Sequence, residues 1–272
     1  IYTFHLRDDV FFHHDLEFSG ERGRRVLARD VVYSFQRIAD PSLASPGAWV
    51  FNEVARRPDG TLDISAPDDT TLVVRLQRPF PPFLGLLSMP YCTVVDEEAV
   101  KAYGPDFRIH PIGTGPFRFK FWKEGVRLVL RRNPWYHEAD AEGPLPRLEA
   151  VSISFIIDKQ AAFLEFVKGK LDFMSGIDAS YKDELLTPSG TLNPRYADRI
   201  GMISEPYLNT EYLGFLLDST NLPAGSKQIA DKRVRQAINL GFDRQRMIRY
   251  LRNDIGIPGT SGFIPAGLAG FD

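Results

Sequence analysis

The stretch Ala28-Arg29-Asp30-Val31-Val32-Tyr33-Ser34-Phe35-Gln36-Arg37-Ile38-Ala39 predicts the clearest helix of the chain, and it decides how the neighbouring segments are interpreted. Its apolar residues recur every three or four positions, which is the spacing of one helical face. Asp30 lies in the first turn, where a carboxylate interacts favourably with the free backbone amides. Asp40-Pro41 follows directly, and proline does not continue a helix. We therefore predict a helix that ends at Ala39.

The composition describes a globular protein with many aromatic residues. The 272 residues are 43% hydrophobic, which is enough to form hydrophobic cores. The chain contains 20 prolines, 22 glycines and 20 phenylalanines, a composition common in mixed α/β binding proteins and secreted enzymes. The 33 basic and 35 acidic residues leave a net charge of -2. The molecule as a whole therefore has no net positive charge that would attract nucleic acid or anionic lipid. We expect no nucleic-acid partner.

Cysteine content and the chain ends give little information about the compartment. Cys92 is the single cysteine, so it cannot form an internal disulfide. No run of 18 apolar residues is present that could span a membrane. The chain opens without Met inside a strand-like alternation, Ile1-Tyr2-Thr3-Phe4-His5-Leu6, and stops in a loop rich in glycine and proline. We interpret both ends as cut.

The segments after the first helix alternate between strands and capped helices. A short helix begins at the cap Asp96 and ends at Gly104. Residues 117–122 and 126–131 alternate in polarity around the turn Lys123-Glu124-Gly125 and predict a β-hairpin. A strand at 151–157, a helix from Asp158 to about Lys168 and a strand at Leu171-Asp172-Phe173 predict a β-α-β unit.

The last part of the chain predicts a further apolar strand and two helices. The strand covers residues 211–217, and the helices are capped by Asp231 and Asp243. Six apolar side chains are expected to face inward from the helices: Val234, Ala237, Ile238, Met247, Ile248 and Leu251.

Two motifs suggest ligands, but simpler interpretations are favoured. Gly113-Thr114-Gly115 lacks the third glycine and the following helix of a dinucleotide site, so we interpret it as a tight turn that needs glycine backbone conformations. His13-His14-Asp15, with His5 and Glu17 nearby, carries metal-ligand chemistry. Adjacent histidines on an extended chain point to opposite faces, so we predict a surface loop with no metal and expect no cofactor.

Catalytic signatures are weak in this sequence. No Gly-x-Ser-x-Gly nucleophile motif is present, and Ser175 has no histidine near it in sequence. The carboxylate pairs, such as Asp68-Asp69, lie at turns and helix starts, where capping and solvated roles are usual. We predict no catalytic residues and no enzyme activity. A secreted α/β hydrolytic enzyme with a triad assembled across the fold remains the alternative.

Several aromatic residues are candidates for a ligand cleft. They lie at segment edges and in loops instead of in buried helical stripes: Trp49, Phe51, Tyr91, Tyr207 and Tyr212. Small-molecule clefts are lined by aromatic and apolar walls with few polar groups. Packing into a core is the alternative role for each of these residues.

The motifs in this order resemble the bacterial solute-binding protein family 5, the oligopeptide- and dipeptide-binding proteins. The helix from Ala28, followed by Asp40-Pro41 and Ser45-Pro46, is similar to the signature helix of the family. Four further stretches are similar to family motifs: residues 2–13, Pro111-Ile112-Gly113-Thr114-Gly115-Pro116-Phe117, Arg132-Asn133-Pro134-Trp135-Tyr136, and residues 231–238 with Asp243-Arg244. The resemblance spans nearly the whole chain, and its spacing is consistent.

The resemblance implies an α/β fold of the periplasmic-binding-protein type, a type II two-lobed clamp with an extra subdomain in lobe one. On that template, residues 1–104 are the extra subdomain, incomplete at the N-terminus. Residues 105–206 are the core of lobe one, and residues 207–272 begin a second lobe that is incomplete. The family binds solutes outside the cytoplasmic membrane and hands them to ABC transporter permeases. It therefore implies a periplasmic or extracytoplasmic location, and a lipoprotein anchor at the missing N-terminus.

The resemblance also implies four ligand-binding residues: Tyr207, Tyr212, Ser175 and Gly176. Trp49 is the fifth predicted ligand contact, as an aromatic residue at a segment edge. The two tyrosines match the crossing strand whose tyrosines line the cleft of the oligopeptide binders. Two departures suggest that the solute is not an ordinary peptide, because an acidic residue of the oligopeptide binders falls at Gly214 and an aromatic one at Gly47. Leu27 stands where the family often has a capping threonine, so the cap of the signature helix is expected to differ.

Overall fold

The computed structural model describes residues 1–13, 22–205, 207–218, 226–260, 262–265 and 267–268. The chain forms two compact units, Ile1–Phe155 and Ile156–Asp272, called here the first and second unit. His14, Asp15 and Glu17 of the predicted histidine-rich loop lie outside the described residues. The division into residues 1–104, 105–206 and 207–272 stays a prediction.

The first unit opens with a helix packed on a small antiparallel sheet. Strand β1 (Tyr2–His5), helix α1 (Ala28–Ala39), strand β2 (Ile64–Ser65) and strand β3 (Thr71–Val74) form this part, and the sheet order is β1-β3-β2. The buried residues of α1 contact those of the sheet and of the turn at Ala48–Phe51 in one core: Ala28, Val31, Phe35, Ala39, Val50, Phe51, Leu62, Ile64, Leu72 and Val74. The predicted helix is confirmed with its predicted end.

A buried ion cluster replaces the missing threonine cap of α1. Leu27 has no acceptor in its side chain, but its backbone N–H donates to the Asp30 carboxylate at 2.8 Å. Arg24 donates to both Asp30 oxygens at 2.9 Å and to Asp96 at 2.7 Å. Because Asp96 also caps helix α3 (Glu97–Tyr103), this cluster joins the starts of two helices.

The rest of the first unit is built on a second antiparallel sheet. After α2 (Phe83–Leu87) and α3, strands β4 (Phe117–Lys123), β5 (Arg127–Arg132) and β8 (Ala150–Ser154) pair in the order β4-β5-β8, and the short β6 (Ala139–Asp140) pairs with β7 (Gly143–Pro144). The predicted hairpin is confirmed, with Gly125 at a φ of 67° in its turn. The β4–β5 register shifts between Phe119 and Phe121, which marks Lys120 as a bulge.

The second unit is helical in its described part. Helix α4 (Lys159–Val167) begins at its cap Asp158, and α5 (Lys182–Leu185) follows. A small core joins them: Phe163, Tyr181, Leu185, Leu186 and Tyr196. Helices α6 (Lys232–Gly241) and α7 (Arg244–Leu251) begin at Asp231 and Asp243, as predicted. Asn253, after α7, accepts from the Lys182 ammonium at 2.7 Å and so links α7 to α5.

Three predictions about the second unit are wrong. Residues 171–173 and 211–217 form no strand, so β8 is not followed by the second strand of a β-α-β unit. A strand needs a paired neighbour for its backbone groups, and the described residues of this unit contain none. Of the six side chains expected to face inward, only Val234, Met247 and Ile248 are half-buried. The other three, Ala237, Ile238 and Leu251, are exposed.

Candidate functional site

Trp49 is exposed because of the tight turn on which it lies. The 3-10 turn Ala48–Phe51 buries Val50 and Phe51 in the core and leaves Trp49 45% exposed. Tyr91 packs directly on Gly47, since a Cβ at Gly47 would lie 2.5 Å from the Tyr91 ring. The Tyr91 ring can pack here only because Gly47 has no side chain. Two exposed aromatic side chains, Trp49 and Tyr91, therefore lie near this turn.

Ser175 and Gly176 lie in an exposed loop between α4 and α5. Gly176 has a φ of 78°, a conformation that glycine adopts without strain, and its carbonyl accepts the Tyr181 hydroxyl at 3.0 Å. Tyr181 is buried against Phe163, so this bond fixes the loop to the small core. All five histidines of the sequence precede residue 156, so no histidine of the second unit is available to activate Ser175.

Tyr207 and Tyr212 belong to a segment without regular secondary structure, residues 207–218. The two rings are 86% and 69% exposed. Tyr212 meets Phe263 edge to face at 4.9 Å between ring centroids, and Thr210 donates to the Phe263 carbonyl at 2.8 Å. The segment thus presents aromatic side chains to solvent while one ring contact and one hydrogen bond hold it to residue 263.

The Gly113-Thr114-Gly115 turn is held by a histidine, which sequence reasoning missed. The backbone N–H of His13 donates to the Gly113 carbonyl at 2.7 Å, and its Nε2 donates to the Gly115 carbonyl at 2.9 Å. Gly113 N–H faces His13 Nδ1 at 3.4 Å, so the neutral imidazole with its proton on Nε2 fits both partners. His13 was predicted to lie in a surface loop. It is half-buried because its ring packs against this turn.

Asn133 is the second residue that holds the turn. Its side-chain amide donates to the Gly115 carbonyl at 3.0 Å, its backbone N–H donates to the Pro116 carbonyl at 2.8 Å, and it is buried. Neither Gly113 nor Gly115 has a positive φ, so the predicted backbone requirement is wrong. The turn does not require a left-handed backbone conformation. It requires that His13 and Asn133 can reach its backbone carbonyls.

Burial governs the protonation of His13. Desolvation lowers the pKa of its imidazole below the ordinary value of 6.5, and the nearby Arg118 guanidinium acts in the same direction, although the Gly115 carbonyl opposes both. His13 therefore stays neutral near pH 7, and both of its ring nitrogens face backbone groups of the turn.

The described residues show neither a cluster of metal ligands nor a membrane-spanning helix. Among the described residues, no group of three or more His, Cys, Asp or Glu side chains could hold a metal ion. No helix in the same part of the chain has both the length and the apolar character needed to cross a bilayer.

Comparison with known proteins gives a match over the full length of the chain. The model of the bacterial extracellular solute-binding proteins, family 5 Middle, matches residues 1–272. The periplasmic oligopeptide-binding protein OppA of Salmonella typhimurium is 28% identical over 96% of this chain and 45% of its own length. The dipeptide-binding protein of Escherichia coli is 25% identical over 100% of this chain and 48% of its own length.

Two solved structures extend the similarity to the fold. OppA of Burkholderia pseudomallei superposes with a TM-score of 0.72 at 24% identity, over 98% of this chain and 49% of its own. MoaA of Agrobacterium tumefaciens R10, in complex with mannopinic acid, gives 0.71 at 26% identity, over 99% and 48%. The chain thus spans about half the length of the relatives it matches.

Proposed function

The chain belongs to family 5 of the bacterial extracellular solute-binding proteins, and we propose that it is part of the substrate-binding component of an ABC transporter. This component binds oligopeptides or a related small solute outside the cytoplasmic membrane and delivers them to the permease subunits. The observation that carries the proposal is the family match over all 272 residues. The resemblance found in the sequence is confirmed, and the fold is the α/β type II fold of the periplasmic binding proteins.

A binding role without chemistry agrees with the residues of the second unit. Ser175 lies in a unit whose sequence has no histidine, and the Asp178 carboxylate accepts the Ser180 backbone N–H at 2.9 Å, as in an ordinary turn. The family is one of solute-binding proteins, which supports a receptor over the hydrolytic enzyme. We infer that the protein is not an enzyme.

The ligand contacts in this proposal are Trp49, Ser175, Gly176, Tyr207 and Tyr212. Exposed aromatic rings suit a cleft that closes over a solute, since rigid apolar walls bury ligand surface at low entropic cost. The proposed solute class is a peptide, because two relatives are named for oligopeptides and dipeptides. The proposal also includes solutes related to peptides, for two reasons. Gly47 and Gly214 replace an aromatic and an acidic residue of the oligopeptide binders, and the similar protein MoaA is in complex with mannopinic acid.

The proposed mechanism is a population shift between open and closed states. A ligand favours closure only by as much as it binds the closed state more tightly than the open one. The permease then distinguishes the closed form. The domain assignment with boundaries at 104 and 206 and the lipoprotein anchor that the resemblance implies both stay predictions.

Isothermal titration calorimetry of the protein against di- to pentapeptides tests the proposal. We expect saturable binding, weakened about tenfold or more by Trp49→Ala or Tyr207→Ala, because each removes an aromatic wall. Tyr250→Ala is the matched control, since Tyr250 is an exposed aromatic residue of the second unit outside the proposed site. Peptide turnover in the same samples, or equal losses in the control, would contradict the receptor role or the site.

A further inference from the structure

The strand register places four cations on one face of the second sheet of the first unit. Arg118 lies directly opposite Arg131, and Lys123 lies directly opposite Arg127. Directly paired residues point to the same face of a sheet, and residues two apart on a strand share that face. Arg127 and Arg131 therefore lie on one face with Val129 between them. We call Arg118, Lys123, Arg127 and Arg131 the cationic face.

The bulge in β4 brings both cation pairs to the same side. Without it, Arg118 and Lys123 would point to opposite faces, since five positions separate them. The register shift at Lys120 pairs Phe121 with Val129, so that Arg118, Phe121 and Lys123 all share the face of Arg127 and Arg131. The two cation pairs are roughly 14 Å apart along β5, at about 3.4 Å per residue.

None of the carboxylates that the structure describes pairs with this face. Among the described residues, no ion pair within 4 Å involves any of the four cations. The nearby carboxylates are engaged elsewhere, because Glu124 pairs with Arg108 at 3.8 Å and Glu149 with Arg132 at 3.1 Å. Arg132 points to the opposite face, where Leu128 and Leu130 are half-buried.

The arrangement does not serve folding. Like charges directly opposite each other destabilise an antiparallel pair, and here both opposed pairs are cationic. Lys123, Arg127 and Arg131 are exposed, and so is Phe121 at 45%. The neighbouring edge strand adds only small side chains to this face, Ala150, Ser152 and Ser154. The face is therefore cationic, with one exposed aromatic ring between the two cation pairs.

We propose that the cationic face binds the anionic headgroups of a phospholipid surface, with Phe121 inserting at the interface. Charge complementarity supports an anionic partner, and a single exposed ring among charged side chains supports a lipid surface over an acidic protein. A stable protein interface needs a packed apolar centre and contains few lysines. Lipid headgroups bind long, solvated cations without fixed geometry. The net charge of -2 hides this local concentration of positive charge.

Vesicle co-sedimentation of the protein tests the proposal, independently of any solute. We expect partitioning into mixed phosphatidylglycerol and phosphatidylcholine vesicles but not into phosphatidylcholine alone. Binding should weaken between 0.01 M and 0.15 M ionic strength, as the Debye length falls from about 30 to about 8 Å. Each cation is expected to contribute up to about fivefold. Changing all four to Gln should reduce partitioning at least tenfold.

A matched control removes the same charge elsewhere. Arg29, Lys232, Arg246 and Arg249 are exposed and have no ion pair among the described residues, so their fourfold change to Gln should leave partitioning within about twofold. Arg131→Glu is a second variant that places an acid opposite Arg118, which favours the fold while it reduces the positive charge of the face. Equal partitioning of wild type and both face variants, or equal loss in the control, would overturn the proposal.

Discussion

Helices α1 and α6 begin in similar ways but differ in what they contact. Each has an aspartate at its start, Asp30 in the first turn of α1 and Asp231 as the cap of α6. The Phe35 side chain of α1 is 5% exposed, whereas the Ile238 side chain of α6 is 45% exposed. Periodicity and caps therefore determine where a helix forms, whereas burial of its apolar face depends on a surface supplied from elsewhere in the chain.

Truncation of an apolar side chain should show the largest difference in stability cost between the two units. Phe51→Ala removes a fully buried ring that contacts Phe35, with centroids 5.0 Å apart, and should cost about 3–5 kcal/mol. Ile238→Ala in α6 should cost less than about 1 kcal/mol, since the side chain is already half in water. All three tryptophans precede residue 156, so denaturation followed by tryptophan fluorescence reports on the first unit. Far-UV circular dichroism follows the helices of both. Similar costs for the two variants would contradict the comparison.

Removal of the two aspartates tests the same contrast at the helix starts. Asp30→Ala leaves Arg24 without two of its hydrogen bonds and Leu27 N–H without an acceptor, so we expect a loss of about 3 kcal/mol. Asp231→Ala removes a half-buried cap whose carboxylate accepts from Arg233 N–H, and should cost about 1 kcal/mol. Asp30→Asn is the control, because it keeps the shape of the side chain and removes its charge. An equal effect of both alanine variants, measured by urea denaturation, would show that burial adds nothing at Asp30.

The local elements of this chain could be predicted from sequence, and their partners could not. The end of α1, the caps Asp96, Asp158, Asp231 and Asp243, and the β4–β5 turn follow from short-range chemistry and are confirmed. The strand predicted at 211–217 is wrong because an apolar run does not by itself provide a pairing neighbour.

Long-range contacts explain the remaining differences. His13 contacts a turn 100 residues away, and no local pattern around it predicts that contact. The cationic face depends on a bulge that shifts the register by one residue, which an alternating pattern does not reveal. The five proposed ligand contacts stay predictions, since four were chosen by resemblance and Trp49 was chosen as an aromatic residue at a segment edge.

Substitutions at His13 measure the connection between the opening segment and the 113–115 turn. His13→Ala removes the side-chain bonds to Gly113 and Gly115 and should cost about 2 kcal/mol, at roughly 1 kcal/mol per hydrogen bond. His13→Gln keeps a donor for the Gly115 carbonyl and should restore about half. Asn133→Ala shares the acceptor Gly115, so the double variant should lose less than the sum of the two. Additive losses, measured by tryptophan fluorescence, would show that the two residues act separately.

The smallest expected effect is the pH dependence that His13 gives to the first unit. Its pKa in the folded protein lies below 6.5, because burial and Arg118 disfavour the charged imidazole. As the pH falls through 6.5, the unfolded chain takes up this proton before the folded protein does. The contribution of His13 to stability is therefore fully present above pH 6.5 and is lost progressively until the folded pKa is passed. Asp9 and Asp68, with pKa values of about 2, titrate below this window.

Comparison of wild type with His13→Gln isolates this effect from other titrating groups. Melting temperatures at intervals from pH 8 to about pH 5 should show a steeper decline for wild type, since Gln carries no titrating proton. In the protonated imidazole an Nδ1 proton would face the Gly113 N–H, so the extra decline should be accompanied by faster amide exchange at Gly113. Exchange at α6 should be unaffected, because that helix contains no histidine. Parallel melting curves for the two proteins would mean that the His13 imidazole has the same pKa folded and unfolded, and that its contact with the turn is open to solvent.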